Sequence, residues 1–327
     1  MRRIPRPMKK TKLSPPDFKF VNKSILKSLL EIERGLNLAL PSPIENLHLS
    51  WLPSQYKLFV KRDDLIHPVI SGNKWRKLKW NIAYVLQNDI KTLVSFGGAH
   101  SNHLYALAAV SNFLGLRFVA FVRGEELTVE SNVTLKHLND CGTEIYFVSR
   151  SAYRYKERDS GIANYLKNLK NYYLVPEGGY NLSALEGVGE SVDEIENLEE
   201  FDYILVPAGT GTTAAGVINR LFEKKSNVKV VVFNVLKPGF IGENINQLLG
   251  TQSNLNFEVV NGYHFGGFGR YNSTLEYFKE EFESQSKIPI DMVYNAKLLY
   301  GLKDLLQKAH FPSGSRMLWI HTGGVRY

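Results

Sequence analysis

The chain has 327 residues, 44% of them apolar and 22% charged, with a formal net charge of +8 and a single cysteine, Cys141. That length supports about two domain cores, and the lone cysteine excludes an intrachain disulfide or a cysteine-built zinc site. No apolar run reaches the ~18 residues a bilayer span needs and no apolar signal core follows the N-terminus, so the reading is a soluble, cytoplasmic protein.

In chain order, residues 1–16 come first as a basic, proline-rich tail with six lysines or arginines and no acid. It is expected to be disordered. Setting it aside leaves 34 of the 40 basic residues against 32 acidic ones, so the body is nearly neutral and nucleic-acid binding is not expected. A helix follows over 22–34, with Ile25, Leu29, Leu30 and Ile32 at helical spacing. Pro41, Pro43 and Pro53 interrupt the pattern before a strand over 56–60. From Asn73, Trp75, Leu78, Ile82, Val85 and Leu86 share one helical face. Strands are then predicted over 92–96, 117–122, 144–148, 172–175, 203–206, 228–235 and 317–320. Helices are predicted over 101–114, 131–139, 161–170, 182–199, 273–283 and 294–309. Strands separated by helices imply an α/β chain of βαβ units with open, mostly parallel twisted sheets.

Ligands of such folds sit at the carboxyl ends of the strands. Four predicted strands end in glycine: Gly97-Gly98, Glu177-Gly178-Gly179, Gly209-Thr210-Gly211-Thr212-Thr213, and His321-Thr322-Gly323-Gly324. Four such ends suggest a shared cleft. The loop from Gly209 to Thr213 is the clearest phosphate site, because its glycines free amide N–H groups to point inward, its threonines add donors, and a helix N-terminus follows. No Gly-Lys-Ser/Thr follows, so it is not a nucleoside triphosphate loop. Gly209, Gly211 and Ala214 also satisfy a dinucleotide fingerprint, but Asn234 and Lys237 stand where an acid for the ribose would be expected.

Ser71-Gly72-Asn73-Lys74 with Arg76-Lys77-Leu78, Gly97-Gly98-x-x-Ser101-Asn102, the 209–213 loop, Val293-Tyr294 and His321-Thr322-Gly323-Gly324 occur in a fixed order. In that order they resemble the 1-aminocyclopropane-1-carboxylate deaminase and D-cysteine desulfhydrase family. Its members are pyridoxal 5'-phosphate enzymes with the tryptophan synthase β-subunit type of fold, and the similarity runs from about Pro41 to the C-terminus. The resemblance implies two domains with the cofactor between them. The larger is built from 17–75 and 178–327, the smaller from 76–177, and a homodimer is implied.

The resemblance further implies that Lys74 forms the imine with the cofactor. Such a lysine must react as a neutral amine and is best placed partly desolvated and near other cations, and Arg76 and Lys77 are close in sequence. Asn102 is implied beside the ring hydroxyl, Gly209, Thr210, Gly211, Thr212 and Thr213 at the phosphate, and Ser101 at the substrate. Ser101 also reads as an ordinary helix N-cap. Asn73, His100 and Phe268 are expected around the substrate. The deaminase branch places a glutamate after the tyrosine of its Val-Tyr pair to contact the ring nitrogen. Here Asn295 follows Tyr294, and Thr322 occupies the position of the desulfhydrase threonine. A neutral partner makes a weaker electron sink, which suits loss of a good β-leaving group better than opening of a cyclopropane. In Gly267-Phe268-Gly269, the phenylalanine replaces a family tyrosine. Tyr263 or Tyr271 could supply the missing phenol, and an aromatic wall is the equal alternative.

Other constellations lead nowhere. His100 and His103 lack a third metal ligand, and no Gly-x-Ser-x-Gly elbow exists. The expected activity is α,β-elimination from a small amino acid, first D-cysteine to pyruvate, sulfide and ammonia, with Lys74 or Tyr294 removing the α-proton. Aminocyclopropanecarboxylate deamination is the alternative. A nicotinamide-dependent oxidoreductase and a non-catalytic cofactor-binding protein stand behind it.

Overall fold

The computed structural model describes residues 23–236, 239, 241–250 and 255–325. The basic segment 1–16 and Lys237 lie outside the described residues. The first half of the chain forms α1 (Lys23–Gly35), β1 (Ile44–Leu47), β2 (Lys57–Lys61), α2 (Asn73–Gln87), β3 (Thr92–Gly98), α3 (Asn102–Phe113), β4 (Arg117–Arg123), α4 (Val133–Asp140), β5 (Glu144–Val148), α5 (Arg150–Tyr155), α6 (Ser160–Asn168) and β6 (Tyr172–Val175). The second half forms α7 (Leu182–Asp193), β7 (Tyr203–Ala208), α8 (Thr212–Glu223), β8 (Lys229–Asn234), α9 (Ile241–Leu249), β9 (Phe257–Val260), α10 (Ser273–Ser286), α11 (Asn295–Gln307) and β10 (Arg316–Ile320).

The strands assemble into two sheets. One has the order β5-β4-β3-β6 and is parallel throughout. The other has the order β1-β2-β10-β7-β8-β9, parallel except where β1 runs against β2. The α/β expectation holds. Central strands such as β7 and β8 are nearly unbroken apolar runs, because helices cover both faces of the sheet. Among the described residues no helix is long and apolar enough to cross a membrane.

Four elements escaped the sequence reading, and each has a reason. β1 and β9 are four-residue edge strands with mostly half-buried side chains, so neither shows a clear alternation. α5 is only six residues long. α9 is only nine residues long and presents one apolar face through Ile241, Ile245 and Leu248. The helix expected over 182–199 stops at Asp193. There the chain turns so that the Glu194 carboxylate accepts hydrogen bonds from Arg76 and Lys61.

α2 is the element the rest is built to hold. Its buried face, Trp75, Leu78, Ile82 and Val85, packs into the core on one side of β3, and α1 covers it through Ile25 and Leu29. On the other side it meets α7 at Gly187, where a Cβ would stand 2.0 Å from the Arg76 carbonyl oxygen. Only a bare Cα permits that approach. Gly187→Ala is therefore expected to lower stability by about 1–3 kcal/mol, read as a fall in the urea midpoint with an unchanged slope.

Candidate active site

The N-terminus of α2 is laid directly on the loop that follows β10. Gly72, the residue before the helix, has φ +65, and a Cβ there would sit 2.0 Å from the Thr322 carbonyl oxygen. Its N–H donates to the Asp63 carbonyl at 2.9 Å, and the Asn73 N–H donates to the Thr322 carbonyl at 3.3 Å. A substituted residue would fail both on backbone conformation and on space. The next side chain is Lys74. Its Nζ donates to Asn73 Oδ1 at 2.6 Å and to the Thr322 carbonyl at 3.3 Å. It borders a cavity of about 150 Å3 together with Ser71, Asn102, Tyr105 and Gly324.

The far wall is the start of α3. Ser101 caps this helix, its Oγ accepting from the Leu104 N–H at 3.2 Å, so the N-cap role is present and Asn102 follows it into the cavity wall. The two histidines diverge. His100 is exposed on the preceding turn, whereas His103 is buried and lies 3.0 Å from Ser95 Oγ. Burial, then the charges of Lys77 and Lys74, lowers the His103 pKa to about 3, so its ring is neutral at physiological pH.

The loop 209–213 is joined to Lys74 through Asn73. It enters α8 through Gly211, and Thr210 Oγ1 and Thr212 Oγ1 stand 3.0 Å apart. Thr213 Oγ1 accepts from Asn73 Nδ2 at 2.7 Å. Asn73 thus joins the lysine to the loop with both ends of its amide, and is itself buried.

The two cations beside Lys74 in sequence part company. Arg76 does not serve Lys74. Its guanidinium turns away and binds Asp63 and Glu194, with Nη2 2.7 Å from Asp63 and 2.8 Å from Glu194. Buried in an ordinary helix face, it requires carboxylates to offset its desolvation. Lys77 is the neighbour that matters. It is buried, its Nζ donates to the Gly178 carbonyl at 3.2 Å, and among the described residues no carboxylate forms an ion pair with it. Burial and then the Lys74 charge lower its pKa to about 7.

The third side is the start of α11. Tyr294 leans on the loop, such that a Cβ on Gly209 would lie 3.0 Å from its ring. Burial, then Asp291 and Glu177, pushes its phenol well above the ordinary range. Asn295 is fully buried and committed. Its Oδ1 accepts from Trp319 Nε1 at 3.1 Å, and its Nδ2 donates to Asp291 at 2.6 Å and to the Gly323 carbonyl at 3.0 Å. Thr322 Oγ1 is 3.5 Å from that Nδ2. Phe268 stands edge-on to Tyr294 with ring centres 6.2 Å apart. The Tyr263 hydroxyl is engaged by Asp304, and Tyr271 is exposed.

The family described as pyridoxal-phosphate dependent enzymes matches residues 38–323. The chain belongs to that family. It is 32% identical to a putative 1-aminocyclopropane-1-carboxylate deaminase of Thermotoga maritima over 87% of this chain and 94% of that one. It is 30% identical to the mitochondrial bifunctional D-cysteine desulfhydrase/1-aminocyclopropane-1-carboxylate deaminase of Arabidopsis thaliana, over 88% and 77%. A crystal structure of an ACC deaminase homologue superposes with a TM-score of 0.75 at 27% identity, covering 90% of this chain and 94% of the other. The two-sheet architecture is that of the fold type II pyridoxal phosphate enzymes.

Pyridoxal phosphate is thus the family's cofactor, and the site has the chemistry to take it. Lys77, buried and without a carboxylate ion pair among the described residues, lies beside the loop that carries the Thr210 and Thr212 hydroxyls and a helix N-terminus, a donor set matched to a phosphate. The sequence named Lys77 only as a cation near Lys74 and His321 only as part of a motif, and it did not single out Asp291. Lys77 resembles any lysine of a basic helix face until its burial is known. Asp291 caps α11, accepting from the N–H groups of Val293, Tyr294 and Asn295 at 2.9, 2.8 and 3.0 Å, and an aspartate just before an apolar helix is a readable signal. His321 donates from Nε2 to the Pro289 carbonyl at 2.8 Å and accepts from the Gly323 N–H at Nδ1, 3.1 Å, which shapes the Thr322 turn.

Proposed function

We propose that the protein catalyses α,β-elimination from a small amino acid, with D-cysteine giving pyruvate, sulfide and ammonia as the leading substrate. The observation that carries this reading is that Thr322 has the amide of Asn295, not a carboxylate, beside its hydroxyl, at 3.5 Å. The side chain at the glutamate position of the deaminase branch is Asn295, whose amide is used up by Trp319, Asp291 and Gly323. A threonine hydroxyl is left to meet the ring nitrogen.

In this reading the 209–213 loop, the N-terminus of α8 and Lys77 hold the phosphate, Lys74 bonds the cofactor, Asn102 is the partner of its ring hydroxyl and Thr322 of its ring nitrogen. Once bound, pyridoxal phosphate supplies an electron sink for the charge released at Cα. Ser101 and the N-terminus of α3 receive the substrate. Lys74 Nζ, oriented by Asn73 Oδ1, takes up the α-proton. Tyr294 is held protonated at neutral pH, so it acts as a hydrogen-bond donor and not as the base.

The second reading, aminocyclopropanecarboxylate deamination, draws on the names of the Thermotoga and Arabidopsis relatives. The two separate in one assay. The cofactor-loaded protein is expected to release pyruvate and sulfide from D-cysteine at least about ten-fold faster in kcat/KM than α-ketobutyrate from aminocyclopropanecarboxylate. The opposite ranking reverses the assignment, and no keto acid from either substrate removes both.

A further inference from the structure

Lys297 stands in the first turn of α11, three residues after Tyr294, and is 1% exposed. Two features make that position costly for an ammonium. A helix N-terminus repels positive charge, and no carboxylate among the described residues forms an ion pair with it. Burial lowers its pKa to about 8, against the opposing charge of Asp291. What offsets the cost is a pair of backbone carbonyls. Lys297 Nζ donates to the carbonyl of His264 at 2.9 Å and to that of Gly267 at 2.8 Å.

Both carbonyls belong to one loop. Phe265, Gly266, Gly267 and Gly269 all have positive φ, which turns the chain back on itself. The loop is further fixed by the Gly267 N–H on the His264 carbonyl at 2.9 Å and the Gly266 N–H on His264 Nδ1 at 3.0 Å. At its tip Phe268 is 59% exposed and stands edge-on to Tyr294, ring centres 6.2 Å apart. At its start Phe265 packs edge-on against Tyr300 of α11, ring centres 5.1 Å apart, and Lys297 holds the glycine-rich part that follows.

We propose that Lys297 is a positioning residue that clamps the 264–269 loop, so that Phe268 and Tyr294 form the substrate-side wall and limit the amino-acid side chain accepted. The substrate part rests on the elimination reading above; the clamp itself does not.

The test joins hydrogen exchange to kinetics. In cofactor-free Lys297→Met, amides of 262–271 are expected to exchange at least about ten-fold faster than in the unsubstituted protein, with the strands of the large sheet unchanged. In the loaded enzyme, KM for D-cysteine rises about ten-fold while kcat stays within about three-fold. Phe268→Ala, at an exposed tip, gives the same rise in KM, and the double variant shows no further rise, because both act through one wall. Lys297→Gln, which keeps a donor, falls between. Unchanged exchange in both lysine variants overturns the clamp. An unchanged KM in Phe268→Ala, or additive effects in the double variant, overturns the wall, even if Lys297→Met does not fold. If D-cysteine is not turned over at all, the elimination reading fails while the exchange result still decides the clamp.

Discussion

Lys74→Ala loses the visible, borohydride-sensitive absorbance of the cofactor-loaded protein and at least about a thousand-fold of its kcat/KM on D-cysteine, while its urea midpoint stays within about 0.5 kcal/mol of the parent. The size of the effect follows from what Lys74 does alone. It is the lysine that borders the cavity with Asn102, and its amine is oriented by Asn73 and by the Thr322 carbonyl. The small cost in stability follows from its being half-buried with no part in a packed core. Lys77 is the competitor, because a pKa near 7 leaves a large neutral fraction at physiological pH. Its Nζ, however, points at Gly178, beside Thr210, where an anion and not a carbonyl carbon is suited. Absorbance that survives in Lys74→Ala but disappears in Lys77→Met would move the assignment to Lys77. Lys74→Arg keeps the charge but cannot supply a neutral amine, so it is expected to match Lys74→Ala.

What the sequence disclosed of this site was its backbone. Glycine and threonine at strand ends mark where a parallel sheet opens to a ligand, and Gly72 and Gly323 are glycine because each has positive φ and a Cβ would stand 2.0 Å and 2.7 Å from its neighbours. The parallel architecture was equally legible, since buried strands such as β8 hold continuous apolar runs, Val230 to Phe233 there, separated by amphipathic helices. Side-chain partnerships were not. Arg76 and Lys77 are adjacent in sequence and equally basic, yet one faces two carboxylates and the other none, because successive positions on a helix point about 100° apart. No local pattern shows which of the two meets Asp63 and Glu194, as those partners come from 13 and 118 residues away. The edge strands β1 and β9 stayed hidden for a related reason. Their identity depends on pairing with β2 and β8, not on their own four residues.

The buried ion cluster behind Lys74 carries the second large effect. Arg76 and Lys61 are its cations, Asp63 and Glu194 its anions, and Ser42 adds a hydroxyl to Asp63 and a carbonyl to Lys61. Together they tie β2, the first turns of α2 and the end of α7, so they hold the helix on which Lys74 sits. Glu194 is the shared member, 2.7 Å from Lys61 and 2.8 Å from Arg76. Glu194→Gln leaves Arg76 with Asp63 but strands Lys61, which is wholly buried, beside one carbonyl. The expected loss is about 3–5 kcal/mol at pH 7. Lys61→Met added to Glu194→Gln restores neutrality and should recover more than half of it; no recovery would show that packing, not charge, sets the cost. The same carboxylate fixes a pH dependence. Burial works against its charged form, but hydrogen bonds and charge from Arg76 and then Lys61 prevail and hold its pKa at about 2, below its ordinary 4.5. A depressed carboxylate contributes stability that is fully present above the unfolded value and is lost as pH falls through the folded one. The parent protein should therefore lose about 3 kcal/mol between roughly pH 4.5 and pH 2. Glu194→Gln has no such proton to take up, so the urea midpoints of the two proteins converge across that interval. Parallel curves would mean that Glu194 is not the group that acid unmakes.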